Sequence, residues 1–162
     1  MKNGAEAEIE YLAKNRFIFE SDREKMDVRK LNAFFESALA RKMMSAEKIF
    51  REKRFMIKLP AALFTEESND ILTQEKILVQ GVIDCAFFDE NGELILVDYK
   101  TDFFPRGMGR AQIEKTLRER HGQQLGYYKL ACKTLFGVSP AHTFIYSFAL
   151  NDTVEIDHSY VC

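Results

Sequence analysis

Asp84, Asp98 and Lys100 lie in the segment VQGVIDCAFFDENGELILVDYK, residues 79–100, where most neighbours are apolar. A carboxylate in such surroundings is costly to desolvate unless it is paired, hydrogen-bonded or bound to a cation. Two carboxylates and one lysine exceed what a simple ion pair needs. The set suits a hard divalent cation, because Mg²⁺ prefers oxygen ligands, takes one or two carboxylates and leaves its other positions to waters and substrate phosphate. Such a cation lowers the pKa of a bound water and stabilises charge growing on a phosphoryl oxygen, while an ammonium beside it orients the nucleophile or neutralises charge. The chemistry expected is phosphodiester hydrolysis. The bland alternative is a buried salt bridge of Asp84 or Asp98 with Lys100 and no ligand.

These side chains must be positioned by two strands and a turn. Successive strand residues face opposite ways, so Val82, Asp84, Ala86 and Phe88 share one face, and Leu94, Leu96, Asp98 and Lys100 share another. Asp98 and Lys100 therefore point the same way. Between the runs, Asp89-Glu90-Asn91-Gly92 supplies residues that tolerate positive φ in a tight connection, which makes the strands antiparallel neighbours and brings Asp84 towards Asp98. Further on, Gln124 and Tyr128 of the segment QLGYY are four apart and share one face of a helix.

The order Asp84, then Asp98-Tyr99-Lys100, then Gln124-x-x-x-Tyr128 resembles the signature of the PD-(D/E)xK nucleases, and GVID followed by VDYKT looks like their RecB-type branch. More narrowly, FFESAL, REKRF, VQGVIDC and DYKTD together resemble the C-terminal nuclease domain of the AddA family, found in bacterial ATP-dependent helicase/nucleases. The resemblance implies the restriction-endonuclease-like fold, an α/β domain with a mixed sheet flanked by helices. It implies Mg²⁺, for which Mn²⁺ can substitute, held by Asp84, Asp98 and the Tyr99 carbonyl, with Lys100 catalytic and Gln124 and Tyr128 holding DNA or organising the site. The activity implied is an exonuclease-type deoxyribonuclease, fed a single DNA strand by an ATP-driven helicase during double-strand-break processing for recombinational repair, alongside an AddB-like partner subunit. The family's early metal-ligating histidine has no counterpart before His121, as expected if residues 1–162 are a single nuclease domain cut from the C-terminal part of a larger helicase-nuclease.

Bulk properties agree with one globular domain: 162 residues with 46% hydrophobic content can bury a substantial core. A formal charge of -2 announces no polyanion partner, so any DNA contact must come from local patches. Cys85, Cys132 and Cys162 are widely spaced without a CxxC, which argues against zinc or an iron–sulfur cluster and fits a reducing, cytoplasmic setting. No apolar run reaches membrane-spanning length.

The remaining elements follow from periodicity and punctuation. A short helix is expected in 1–20. Ser21-x-x-Glu24 has the form of a capping box, and Asp27 is a second candidate cap before a helix carrying Val28, Leu31, Phe34, Phe35, Ala38 and Leu39. A polar connection should occupy 41–47, and a strand 49–59 should end at Pro60. Glu52 on that strand matches the position where the family often carries an acidic residue; a surface ion pair with a neighbouring Lys or Arg explains it equally well. Residues 65–75 read as a polar loop. Pro105, Gly107 and Gly109 mark a loop beside the aspartates, of the kind that handles substrate.

A long helix over 111–136, either continuous or interrupted near Gly122, should carry Leu117, Leu125, Tyr128, Ala131, Cys132 and Leu135 inward and stop at Gly137. Between Lys100 and Lys133 eight Lys or Arg face three acidic residues. This basic run, Arg106 and Arg110 included, would hold a nucleic-acid backbone without reading sequence, or else form a solvated helix face. His121, His142 and His158 read as incidental. Residues 143–148 form a β-branched and aromatic strand that returns parallel to the one ending at Lys100, and 154–156 a short edge strand. Two function classes remain: a metal-dependent nuclease domain, and a non-catalytic DNA-binding or assembly module that keeps its fold.

Overall fold

In the computed structural model, the described residues are 4–64 and 75–157. The polar loop expected at 65–75 therefore lies outside them, apart from Glu75. The chain divides into two compact units, residues 1–44 and 45–162.

The first unit is helical: α1 (Gly4–Lys14), α2 (Glu20–Arg23), α3 (Val28–Glu36) and α4 (Ala38–Ser45), the last ending at the boundary. Asp27 caps α3, its Oδ1 accepting the Arg29 N–H at 3.1 Å. The box expected at Ser21 does not form, because α2 begins two residues earlier with Phe19 at its N-cap and no side-chain cap. The helix expected through Leu39 is divided at Ser37, whose extended backbone ends α3 and whose Oγ accepts the Ala40 N–H at 3.1 Å to start α4. With a cap of its own, α4 continues through most of the stretch expected to be a polar connection.

The second unit is a five-stranded sheet in the order β1-β2-β3-β4-β5, built from β1 (Ile49–Pro60), β2 (Lys76–Phe88), β3 (Leu94–Lys100), β4 (His142–Ser147) and β5 (Asp152–Glu155). All neighbours are antiparallel except β3 and β4, so the sheet is mixed and the fold is α/β, as expected. The β2–β3 turn forms because Asp89 Oδ1 accepts the N–H groups of Asn91 (2.9 Å) and Glu93 (3.0 Å) while Gly92 takes φ 76°.

Helix α5 (Arg110–Phe136) makes the crossover between β3 and β4 and packs on the sheet. Of the two outcomes left open at Gly122 it takes the continuous one: Gly122 and Gly126 are both buried, and packing outweighs a cost of about 1 kcal/mol per helical glycine. Leu117, Leu125, Ala131 and Cys132 enter a core with Phe55, Ile57, Ala86, Leu94, Leu96 and Ile145. Leu135 instead remains 37% exposed, one position from the helix end. Gly137 closes α5 at φ 76°, its N–H donating to the Lys133 carbonyl at 3.1 Å. Among the described residues no helix is long and apolar enough to cross a membrane.

Candidate active site

The β2–β3 ladder runs from Phe88↔Leu94 to Cys85↔Val97 and then stops. The next pair in that register is Asp84 with Asp98. Beyond the last rung, Asp84 Oδ2 accepts the Tyr99 N–H at 3.0 Å, so a side chain takes over a donor that a continued ladder would have occupied. The hairpin opens where the two carboxylates meet.

Asp98 is 2% exposed, and its Oδ2 lies 2.6 Å from Lys100 Nζ. The pair is buried, the Lys100 side chain being 17% exposed and that of Asp98 2%. Burial raises the Asp98 carboxyl above its ordinary range and the neighbouring Asp84 charge adds to this, while Lys100 pulls the other way. Two carboxylates this close, one of them buried, are suited to a cation. Lys100 Nζ also donates to Gln124 Oε1 at 3.2 Å, and Gln124 Nε2 donates to Tyr128 Oη at 2.7 Å. Four of the residues singled out from sequence thus form one line, Asp98–Lys100–Gln124–Tyr128, joining the end of β3 to the middle of α5.

Tyr128 is anchored in turn. Its ring meets Phe55 edge to face with centroids 5.5 Å apart, and both rings crowd Gly81. A side chain at Gly81 would place its Cβ 2.8 Å from Phe55 Cζ.

Glu52 lies across from Asp84. The register that pairs Arg51 with Cys85 and Lys53 with Ile83 places it there, and pairing lapses at that position alone in the run. Glu52 takes φ 49°, a left-handed conformation that costs a non-glycine residue on the order of 1–3 kcal/mol. A cavity of about 230 Å³ is lined by Arg51, Glu52, Asp84 and Tyr99. Three carboxylates therefore occupy successive strands, although among the described residues no three His, Cys, Asp or Glu side chains gather into a metal cage. The oxygen donors of Asp84 and Asp98 fit a hard cation that completes its shell with water and phosphate. Burial pushes the Tyr99 phenol far above its ordinary pKa.

The basic run is less free than its composition suggests. Arg110 is matched by Glu114 (2.7 Å) and Asp152 (2.9 Å), Arg118 by Glu114 (3.4 Å), Lys115 by Glu119 (3.8 Å), and Arg120 by Asp102 (3.0 Å). Arg106 is exposed in the loop between β3 and α5.

His121 is not the incidental bend residue expected. It sits half-buried on α5 with Nε2 3.0 Å from Asp102 Oδ2. Burial works to raise the Asp102 carboxyl, but the hydrogen bonds from Arg120 and His121 prevail and hold it below the carboxylate range. The sequence signal was spacing: Asp102 follows Lys100 by two, and His121 precedes Gln124 by three, one helical turn, so the clamp ties together the two elements that bring Lys100 to Gln124. His142 pairs with Glu155 at 2.7 Å, and His158 lies outside the described residues.

Fold and site together define an α/β domain whose central hairpin opens onto an acidic centre served by one lysine and buttressed by a Gln–Tyr pair on the crossover helix. No family model matches the chain. Its relatives among curated proteins are the A subunits of ATP-dependent helicase/nucleases. It is 31% identical over 150 residues to that of Ruminiclostridium cellulolyticum, a match covering 92% of this chain and 12% of the relative. With the Clostridium acetobutylicum protein the identity is 29% over 150 residues, covering 93% and 12%, and with that of Thermoanaerobacter pseudethanolicus 30% over 152 residues, covering 94% and 12%. The chain spans about 12% of the length of these relatives.

Proposed function

We propose that this chain is a metal-dependent DNA nuclease domain of the PD-(D/E)xK type, with a restriction-endonuclease-like fold, and that it forms one part of a helicase-nuclease. The observation that carries the reading is the line from Asp98 through Lys100 and Gln124 to Tyr128, with Asp84 beside it. Two sequence motifs far apart in the chain meet in one hydrogen-bonded unit next to a pair of carboxylates. An isolated structural salt bridge would not need the second motif.

Asp84 and Asp98, with the Tyr99 carbonyl, would hold Mg²⁺ or Mn²⁺, and Glu52 faces the same centre from β1. The bound cation would supply Lewis-acid stabilisation of phosphoryl charge and a more acidic water. Lys100 orients the attacking water and offsets charge on the phosphate, its ammonium held in place by the Gln124 amide. Gln124 is itself oriented by Tyr128, so the ammonium keeps its aim. Arg106, exposed in the loop between β3 and α5, and Arg110, at the start of α5 and paired with Glu114 and Asp152, would contact the strand backbone. In the longer protein, a cytoplasmic helicase would deliver single-stranded DNA to this domain together with an AddB-like partner, in exonucleolytic processing of double-strand breaks.

The direct test is degradation of end-labelled single-stranded DNA by this chain and by Asp98→Ala, with Mg²⁺, Mn²⁺ or EDTA. Metal-dependent cutting lost in the variant is expected; equal cutting by both removes Asp98 from the mechanism. The second reading, a binding or assembly module, is favoured by the lack of a three-ligand cage among the described residues. It calls for no Asp98-dependent Mg²⁺ or Mn²⁺ uptake by calorimetry.

A further inference from the structure

Beside the Gln–Tyr pair, a cleft of about 340 Å³ opens between β1, β2 and α5, and Phe55, Gln80, Arg120, Gln123, Tyr127 and Tyr128 supply its chemistry. Gln124 lines it as well, so the cleft begins where the line from Lys100 ends. Among the described residues its one cationic lining residue is Arg120, and that charge is matched by Asp102 at 3.0 Å. A phosphate therefore finds no unmatched cation in its lining. The rest of that lining is aromatic rings, side-chain amides and the aliphatic Val79.

Each wall is built to stay in place. Phe64 stacks on Tyr127 with centroids 5.1 Å apart and planes at 24°, Gln123 Nε2 donates to Tyr127 Oη at 3.2 Å, and Phe55 braces Tyr128. Rings held this way present edges and faces for stacking at little entropic cost, and a glutamine amide offers a donor and an acceptor side by side, the pattern that matches the edge of a base. The cleft is at the small end of ligand pockets, which begin at roughly 300 Å³, so it takes one base and not a base pair.

We propose that this cleft binds a single unpaired nucleobase of a DNA strand, the base of a nucleotide adjoining the phosphate at Lys100. The proposal rests on the nuclease reading for that neighbour, but the cleft's own chemistry can be tested without cleavage. It also accounts for a second Gln–Tyr pair, Gln123 and Tyr127, one residue out of phase with the first.

The experiment titrates the Asp98→Asn chain in EDTA with fluorescent single-stranded oligonucleotides in which one abasic residue is moved along the strand. Where the missing base is the one the cleft would stack and hydrogen-bond, Kd should weaken on the order of tenfold. In Tyr127→Leu and Gln123→Leu backgrounds that penalty should vanish, intact and abasic strands then binding alike. The abasic strand leaves the protein unaltered, so a folding defect in a variant cannot mimic the first result. A flat scan, an absence of binding, or a penalty that persists in both variants overturns the proposal. So does competition by the matching mononucleotide as strong as by the strand, which would make the cleft a free-nucleotide site. A positional penalty without cleavage by the unsubstituted chain defeats the nuclease reading alone; cleavage with a flat scan defeats this inference alone.

Discussion

Gly81→Ala is a one-methyl perturbation whose effect can be worked out from the packing around it. The added Cβ would lie 2.8 Å from Phe55 Cζ, 2.9 Å from Phe55 Cε1 and 3.3 Å from Tyr128 Cε1. Phe55 is 6% exposed and belongs to the core under α5, so its ring cannot swing into solvent as a flexible side chain would. Forcing extra volume into such a site costs about 1–3 kcal/mol, against which alanine recovers about 0.4–1 kcal/mol by restricting the unfolded chain, leaving a net loss of about 1.3 kcal/mol at the middle of both ranges. For a chain of this size that middle value lowers Tm by roughly 3–5 °C. Displacement of Tyr128 passes through Gln124 to Lys100, so DNA cleavage should fall several-fold further than the unfolded fraction accounts for. The assay is thermal unfolding of Gly81→Ala, Phe55→Leu and the double variant, with cleavage measured well below each Tm. Because leucine vacates the space that the new methyl needs, the double variant should be less destabilised than the sum of the singles. An unchanged Tm for Gly81→Ala, or strictly additive losses, would refute the close approach of Phe55 to Gly81.

Further outcomes follow from the same packing. Gln124→Leu should lower kcat about tenfold or more with little change in KM, since it leaves Lys100 present but unaimed, while Tyr128→Phe, which removes only the hydroxyl, should do less; single-turnover cleavage separates them. Asp102 has its folded pKa depressed by Arg120 and His121, so its contribution to stability is fully present above the ordinary carboxylate value of about 3.9 and is lost as pH falls through and below it. Asp102→Asn should therefore lower the urea midpoint near neutrality and flatten its decline between about pH 5 and pH 2; an unaltered acid limb would remove the clamp. Cys85 and Cys132 are buried, and burial raises both thiols, Cys132 to about 12, so both should resist a thiol reagent until the chain unfolds. Mass spectrometry of labelled peptides reads this directly.

Much of the site was legible because strand parity and helical spacing are local properties. Asp98 and Lys100 had to share a face, Gln124 and Tyr128 had to share another, and the Asp89–Gly92 turn had to make β2 and β3 antiparallel. The same locality explains Asp27 at the start of α3 and Gly137 at the end of α5. Where local signals competed, order along the chain left two outcomes open. Gly122 could be a break or a tolerated glycine, and packing resolved it, because the helix buries that residue.

Other features depend on partners distant in the chain, and no periodicity reports them. Glu52 faces Asp84 only because the β1–β2 register places it there, at a backbone angle that its residue type does not advertise. Arg110 and Arg120 look like free cations until Asp152 and Asp102 are brought to them. The sequence by itself determined which side chains could form a centre and which way they point along their own strands and helix. Tertiary structure alone decided which charges are neutralised, where the hairpin opens and that a neutral cleft adjoins the lysine, because charge pairing, strand register and enclosed volume are properties of distances between segments and not of order within one.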